Sequence, residues 1–267
     1  MIAFSITLNG VRKEIVVDVR DTLLNVLRER LGLTSIREGC ETVQCGSCTV
    51  NVDGQAVKAC SMLAVQAEGK QITTVEGLPG PEAKDSLQYS FKAEHAVQCG
   101  YCTPGMLMNA SEYLAEKGSF ASSKIRKRLR GNLCRCTGYQ NIVDAISRST
   151  DSKRASKNTE SNLLKGQQRT EDKRLLLGKG QFTDDMLLPG QLHAKFLRSA
   201  VANASIRDID TSDAKRIEGV IAVYTAKDIS QDGLKSPVCS WQVTDADGTP
   251  MRANSRPLLA SEDGVLS

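Results

Sequence analysis

Eight of the chain's nine cysteines fall into two quartets of unlike spacing, Cys40, Cys45, Cys48 and Cys60, then Cys99, Cys102, Cys134 and Cys136. Thiols grouped this closely limit the folds available, because each quartet must converge if it is to hold a metal. A disulfide framework is disfavoured: the chain is long, its thiols cluster unevenly, and it shows no export signal. The N-terminus, MIAFSITLNGVRKEIVVDVR, alternates apolar and polar residues instead of joining a basic start to an apolar run and a small-residue cleavage site. This predicts a cytoplasmic, reducing setting, in which grouped thiols serve metal binding or redox chemistry. Cys239 stands apart from both quartets and reads as an incidental thiol.

The first quartet runs C-x4-C-x2-C with a fourth cysteine a short hairpin later, the plant-type arrangement for a [2Fe-2S] cluster. Within CETVQCGSC, Gly46 is free to take positive φ, so the backbone can wrap a cluster with amides facing sulfur. The second quartet places C-x2-C before C-x-C, with 31 residues between Cys102 and Cys134. Structural zinc sites usually repeat C-x2-C pairs at shorter separation, so the spacing favours iron and sulfide. The rival reading is a zinc-stabilised binding module whose basic stretch, Lys124, Arg126, Lys127, Arg128, Arg130 and Arg135, docks an acidic partner. A net charge of +4 without interleaved aromatics predicts no nucleic-acid partner, and that stretch reads more simply as a solvated helix face. No segment is apolar enough to suggest a membrane span.

The pattern of elements predicts an α+β chain. Ile2, Phe4, Ile6 and Leu8 alternate, Asn9-Gly10 supplies a tight turn, and residues 11–19 return as the partner strand. Asp21 is placed as the cap of a helix carrying Leu23, Leu24, Leu27 and Leu31 and stopped by Gly32, which starts a β-grasp, ferredoxin-like domain. A second hairpin around Asp53-Gly54 returns Cys60 to the first three thiols, a strand near residues 71–75 completes the domain, and Gly77, Pro79, Gly80 and Pro81 mark its end, giving residues 1–80.

Residues 81–150 change to helical periodicity and predict four short helices in a bundle, with Cys99 and Cys102 at the entry to the second, where Thr103-Pro104 suits a helix start, and Cys134 and Cys136 at the entry to the fourth. Helix N-termini would there face an anionic cluster. Residues 151–168 read as a polar linker, and residues 169–267 as a partial α/β unit with strands at 192–197, 204–209 and 220–224 and a helix from Thr211 through Ile217.

Taken together, CETVQCGSC, QCGYCTPG and GNLCRCTGY resemble the iron-sulfur portion of the molybdenum hydroxylases, the family of xanthine dehydrogenase, aldehyde oxidoreductase and carbon monoxide dehydrogenase. TEDKRLLLGKGQFTDDMLLPGQLHAKFLRS is similar to the family's hammerhead domain, the opening of its molybdopterin subunit. The resemblance implies a ferredoxin-like domain and a helical domain, each holding one [2Fe-2S] cluster on the eight cysteines. It implies that electrons pass singly from a molybdopterin centre to the helical-domain cluster, then to the plant-type one, and on to a flavin subunit or another acceptor. By position, Gln98 would approach the pterin, with Cys136 at the same edge; an ordinary loop amide is the plainer reading of Gln98.

Two departures from the pattern matter. No flavin domain separates the iron-sulfur part from the hammerhead-like part, and G-x-G-x-x-G is absent, so no FAD site is expected in this chain. The sequence stops at Ser267, before the regions that hold most of the pterin, so either a continuing chain or a separate molybdopterin-binding subunit is expected to complete the enzyme. Without that partner the third segment is expected to leave apolar strand edges uncovered. His95 stands four residues before Cys99, but the paired histidines and cysteines of a Rieske site are missing and it reads as a helix-surface histidine; His193 has no acidic or cysteine companions at ligand spacing and reads as structural.

Overall fold

The computed structural model describes residues 1–116, 121–150, 169–202, 204–237, 241, 243–251, 257–261 and 265–266. The linker at 151–168 and Cys239 lie outside the described residues. Two compact units divide the chain, Met1–Pro189 and Gly190–Ser267.

In the first unit, β1 (Ile2–Leu8) and β2 (Val11–Val17) pair antiparallel from Ile2↔Val17 to Leu8↔Val11. Asn9 and Gly10 both take left-handed φ, 49° and 81°, the twist-matched turn that an Asn-Gly pair favours. β3 (Thr49–Val52) and β4 (Gln55–Lys58) form a second hairpin about Asp53 and Gly54. β5 (Gln71–Thr73) lies between β1, which it meets in parallel, and β3, giving the order β2-β1-β5-β3-β4. Alternation puts Phe4, Ile6 and Leu8 on one face of β1, against Leu23, Leu24, Val26 and Leu27.

Those leucines lie on α1 (Leu23–Asn25), which opens into a wider turn over Val26–Arg30 before Gly32. The cap is Thr22 and not Asp21: the Thr22 hydroxyl accepts from the Asn25 amide at 3.2 Å. Asp21 is already engaged, accepting from the Asp18 amide and pairing with Arg30. A side chain committed to the preceding turn cannot also satisfy the helix's first amides.

Four helices follow, α2 (Leu87–Ala93), α3 (Thr103–Ala115), α4 (Ser122–Arg128) and α5 (Gln140–Thr150). Phe91, Met106, Leu107, Ile125, Ile142 and Ile146 are all buried in one core, and each such side chain stabilises by ~1.5–3 kcal/mol. Ser86 caps α2 by accepting from the Tyr89 amide, while α3 begins at Thr103 with Cys102 as its cap residue and Pro104 in the first turn. α3 is buried along its first eight residues because β3 packs against it as well as the neighbouring helices.

Residues 169–189, which the sequence groups with the third segment, belong to this first unit. Leu175 and Leu176 of α6 (Asp172–Leu176) enter the helical core, and the Gln88 amide donates to the Leu176 carbonyl.

The second unit contains α7 (Ser212–Arg216), α8 (Ala226–Gln231) and a short antiparallel pair, β6 (Ala204–Ser205) with β7 (Val265–Leu266). α7 matches the expected helix after Thr211. Of the three expected strands only Ala204–Ser205 joins a ladder among the described residues. Residues 192–197 and 220–224 are apolar enough for strands, yet Phe196, Leu197 and Ile221 are exposed. A strand is defined by its neighbour's N–H and C=O groups, and among the described residues none flanks these segments.

Candidate metal centres

Cys40, Cys45 and Cys48 occupy the loop before β3, and Cys60 sits in the turn Ala59–Ser61 at the end of the β3-β4 hairpin. The loop coils tightly: Glu41, Val43 and Gly46 all take left-handed φ, 50°, 68° and 72°. For a β-branched valine that conformation is strained, and strain of this kind persists only where the surroundings impose it. The coil aims the Thr42 and Cys45 amides at the Cys40 sulfur, at 3.4 and 3.3 Å. The Thr42 hydroxyl and these two amides draw the Cys40 thiol down to about 6, favouring the thiolate that a metal needs. Burial pushes Cys48 up to about 12, with Cys60 within hydrogen-bonding reach.

The second set converges from two directions. Cys99 and Cys102 flank Gly100-Tyr101 at the start of α3, and Cys134 and Cys136 lie in the loop that enters α5. Cys99 and Cys136 are exposed, while Cys102 and Cys134 lie deeper. Burial raises the Cys102 and Cys99 thiols. Burial also works against a Cys134 thiolate, but the Thr137 hydroxyl at 3.1 Å and the Thr137 amide outweigh it and lower that thiol.

Within each set the sulfurs lie close together: Cys40 faces Cys45, Cys48 faces Cys60 and Cys45, Cys99 faces Cys136 and Cys134, and Cys102 faces Cys134 and Cys99. Among the described residues no three His, Cys, Asp or Glu side chains converge on a single ion position. All eight cysteines are free of disulfides.

The two sets are joined directly. The Leu133 amide, one residue before Cys134, donates to the Cys45 carbonyl at 2.7 Å. Asn132, 1% exposed, donates to the Gly46 carbonyl and the Thr49 hydroxyl and accepts from Asn109 and Lys58. Gly46 is required here, because a Cβ would lie 2.2 Å from the Gly131 carbonyl oxygen. The Tyr101 hydroxyl donates to the Glu38 carbonyl at 2.6 Å, tying the second set's loop to the approach of the first.

Gln98 is exposed beside Cys99, and its carbonyl accepts from Arg169 at 2.9 Å. His95 follows α2 with φ 52°, and His193 is exposed in the second unit. Within the basic stretch, Arg128 pairs with Glu112 and Glu116, and Arg126 donates to Gln140. Sequence reasoning missed Lys58, Tyr101, Arg37, Asp185 and Arg169. Tyr101 stands between Cys99 and Cys102, and Lys58 and Arg37 stand two and three residues before a cysteine, a proximity that could have drawn notice; Asp185 and Arg169 are set by contacts remote in sequence.

Comparison with known proteins gives three family matches. Residues 6–75 match a 2Fe-2S iron-sulfur cluster binding domain and residues 74–147 a [2Fe-2S] binding domain. Residues 177–251 match the a/b hammerhead domain of aldehyde oxidase and xanthine dehydrogenase. The nicotine 6-hydroxylase small subunit of Paenarthrobacter nicotinovorans is 46% identical over 145 residues, covering 54% of this chain and 87% of that subunit. The aldehyde oxidoreductase of Megalodesulfovibrio gigas is 32% identical over 278 residues, covering 98% of this chain but 30% of that enzyme. The crystal structure of the aldehyde oxidoreductase from Desulfovibrio desulfuricans superposes with a TM-score of 0.73 at 32% identity, over 85% of this chain and 27% of that one. Among the described residues no helix is long and apolar enough to cross a membrane.

Proposed function

Because this chain belongs to the molybdenum hydroxylase family, we propose that it is the iron-sulfur electron-transfer part of a molybdenum-dependent hydroxylase or dehydrogenase. Cys40, Cys45, Cys48 and Cys60 would hold one [2Fe-2S] cluster, and Cys99, Cys102, Cys134 and Cys136 the other. The observation that carries this reading is that each quartet gathers its sulfurs within a segment that matches a [2Fe-2S] binding domain. A [2Fe-2S] cluster takes two thiolates on each of two irons, whereas structural zinc needs four ligands about one point. The domain matches over residues 6–75 and 74–147 support the former donor set.

A bound cluster supplies one-electron chemistry. The protein's part is to hold thiolates, place amides and set exposure, the levers that tune reduction potential. Around Cys40 the Thr42 and Cys45 amides favour the anionic sulfur, and around Cys134 Thr137 does the same. A direct bonded connection between the sets runs from Cys134 through the Leu133 amide into the Cys45 carbonyl. Cys99 and Cys136 present the exposed rim, so the second set is the side to which a molybdopterin domain or subunit would dock, with Gln98 beside the pterin. The first set would pass electrons to a flavin subunit or another acceptor.

The finer architecture belongs to the same proposal: a β-grasp domain, a four-helix bundle and a partial hammerhead in a cytoplasmic enzyme. Purified without oxygen, the chain should be red-brown, with about four irons and four sulfides and two paramagnetic signals on reduction. Colourless protein carrying zinc would defeat the proposal and restore the binding module. In the assembled enzyme, Gln98→Ala should slow substrate-driven reduction of both clusters while leaving iron content unchanged; an unaltered rate removes Gln98 from the pterin edge.

A further inference from the structure

Arg37 lies three residues before Cys40 and is 2% exposed, a position in which a guanidinium needs strong compensation. That compensation comes from residues remote in sequence. One Arg37 nitrogen pairs with Asp185, another donates to the Gly180 carbonyl at 2.6 Å, and the guanidinium lies 4.5 Å from the Phe182 ring and 5.8 Å from the Tyr101 ring. Asp185, with a side chain 3% exposed, has no spare oxygen: one accepts from Arg28 at 2.7 Å, the other from Arg37 and from the Phe182 amide at 2.9 Å.

Tyr101 carries the contact onward. It stands between Cys99 and Cys102, its ring packs edge-on against Phe182 with centroids 5.1 Å apart, and it lies 3.7 Å from where a Cβ on Gly39 would be. Its hydroxyl bond to the Glu38 carbonyl fixes it to the chain just before Cys40. Arg37, Phe182 and Tyr101 therefore form one packed group whose ends are the two cysteine loops, and Asp185 is the counter-charge that holds it closed.

We propose that Asp185 is a positioning residue for electron exchange between the two cysteine sets: through Arg37 and Tyr101 it fixes the loop at 37–48 against the loop at 99–102. The inference rests on the reading of both sets as [2Fe-2S] sites, and it assigns residues 180–185 a part in tuning both. Asp185 touches neither sulfur set, so its effect passes entirely through the residues it holds. It differs in kind from the Leu133-Cys45 hydrogen bond, which joins the two loops backbone to backbone without a side chain.

The experiment compares the full chain, loaded anaerobically, with Asp185→Asn and with Asp184→Asn, whose carboxyl is exposed next door. Iron and sulfide are assayed first, then both midpoint potentials and the magnetic interaction between the reduced centres by electron paramagnetic resonance. The expected result for Asp185→Asn is unchanged iron with both potentials shifted and the interaction altered, and for Asp184→Asn no change. Unmoved signals at full iron, a shift confined to one centre, or an equal shift in Asp184→Asn would overturn the inference while leaving the cluster reading intact. Absence of iron from the parent chain would instead overturn that reading. Should Asp185→Asn fail to fold, Arg37→Lys, which keeps the charge but loses the planar fork, decides by the same measurements.

Discussion

The two cysteine sets, alike in the role proposed for them, differ in construction. Three of the first four thiols come from one short loop whose own backbone, left-handed at Glu41, Val43 and Gly46, bends them inward. The second four come from two segments 31 residues apart in sequence, and they meet because α3 and α5 share a core with Phe91, Met106 and Ile142. The first site is therefore written locally and the second by tertiary packing. Damage to a loop should strike the former, and damage to a core the latter.

The largest effect expected comes from removing a ligand. Cys45→Ser and Cys102→Ser should each abolish one paramagnetic signal and about half the iron, leaving the other centre in place. Loss of both signals from either change would mean that the sites fold as one unit and would break the comparison. Next, Phe91→Ala should cost about 4 kcal/mol by opening a cavity in the helical core. Thermal unfolding followed at each centre's absorption should lose the second centre first; simultaneous loss would argue against packing as its particular support.

Asn132→Ala should cost about 2 kcal/mol, since it strips partners from the Gly46 carbonyl, Asn109 and Lys58 together. Because that residue lies between the sets, denaturant unfolding should show both signals weakened equally, which sharpens the contrast with Phe91→Ala.

The smallest effect concerns Asp172, fully buried with neither carboxyl oxygen hydrogen-bonded and Arg169 3.8 Å away. Burial raises its pKa despite that arginine, so its stability contribution is present at acid pH and is lost as pH rises through the folded value. Asp172→Asn lacks that loss. Its melting temperature should equal or exceed the parent's near neutrality, the two converging at pH values below the ordinary carboxylate pKa of ~4. A variant less stable than the parent at neutral pH would show that the charge is compensated.

Legibility in the sequence followed the same division. Both hairpins could be placed from Asn9-Gly10 and Asp53-Gly54, because a two-residue turn fixes the register of its strands. The first quartet was visible in its spacing for the same local reason, whereas the second was legible only as two short pairs whose meeting depends on the packing of α3 and α5. Asp21 was a misleading cap because its engagement with Asp18 and Arg30 depends on how the chain turns before the helix. Residues 192–197 and 220–224 carry a strand's composition, but pairing depends on a neighbour that composition does not reveal. The Arg37-Asp185 pair spans 148 positions, and no periodicity records a charge pair at that range. The assignment of residues 169–189 to the first unit likewise depends on Leu175 and Leu176 finding the helical core.

At Gly46 the two cysteine-bearing halves come so close that an added Cβ would lie 2.2 Å from the Gly131 carbonyl oxygen and 2.7 Å from the Asn132 side-chain amide nitrogen. Chimaeras that exchange the N-terminal domain among relatives are therefore limited less by overall likeness than by one missing methyl group. Any substitute at that seam is a wedge, and evolution or an engineer can recombine these halves only along junctions that keep it bare.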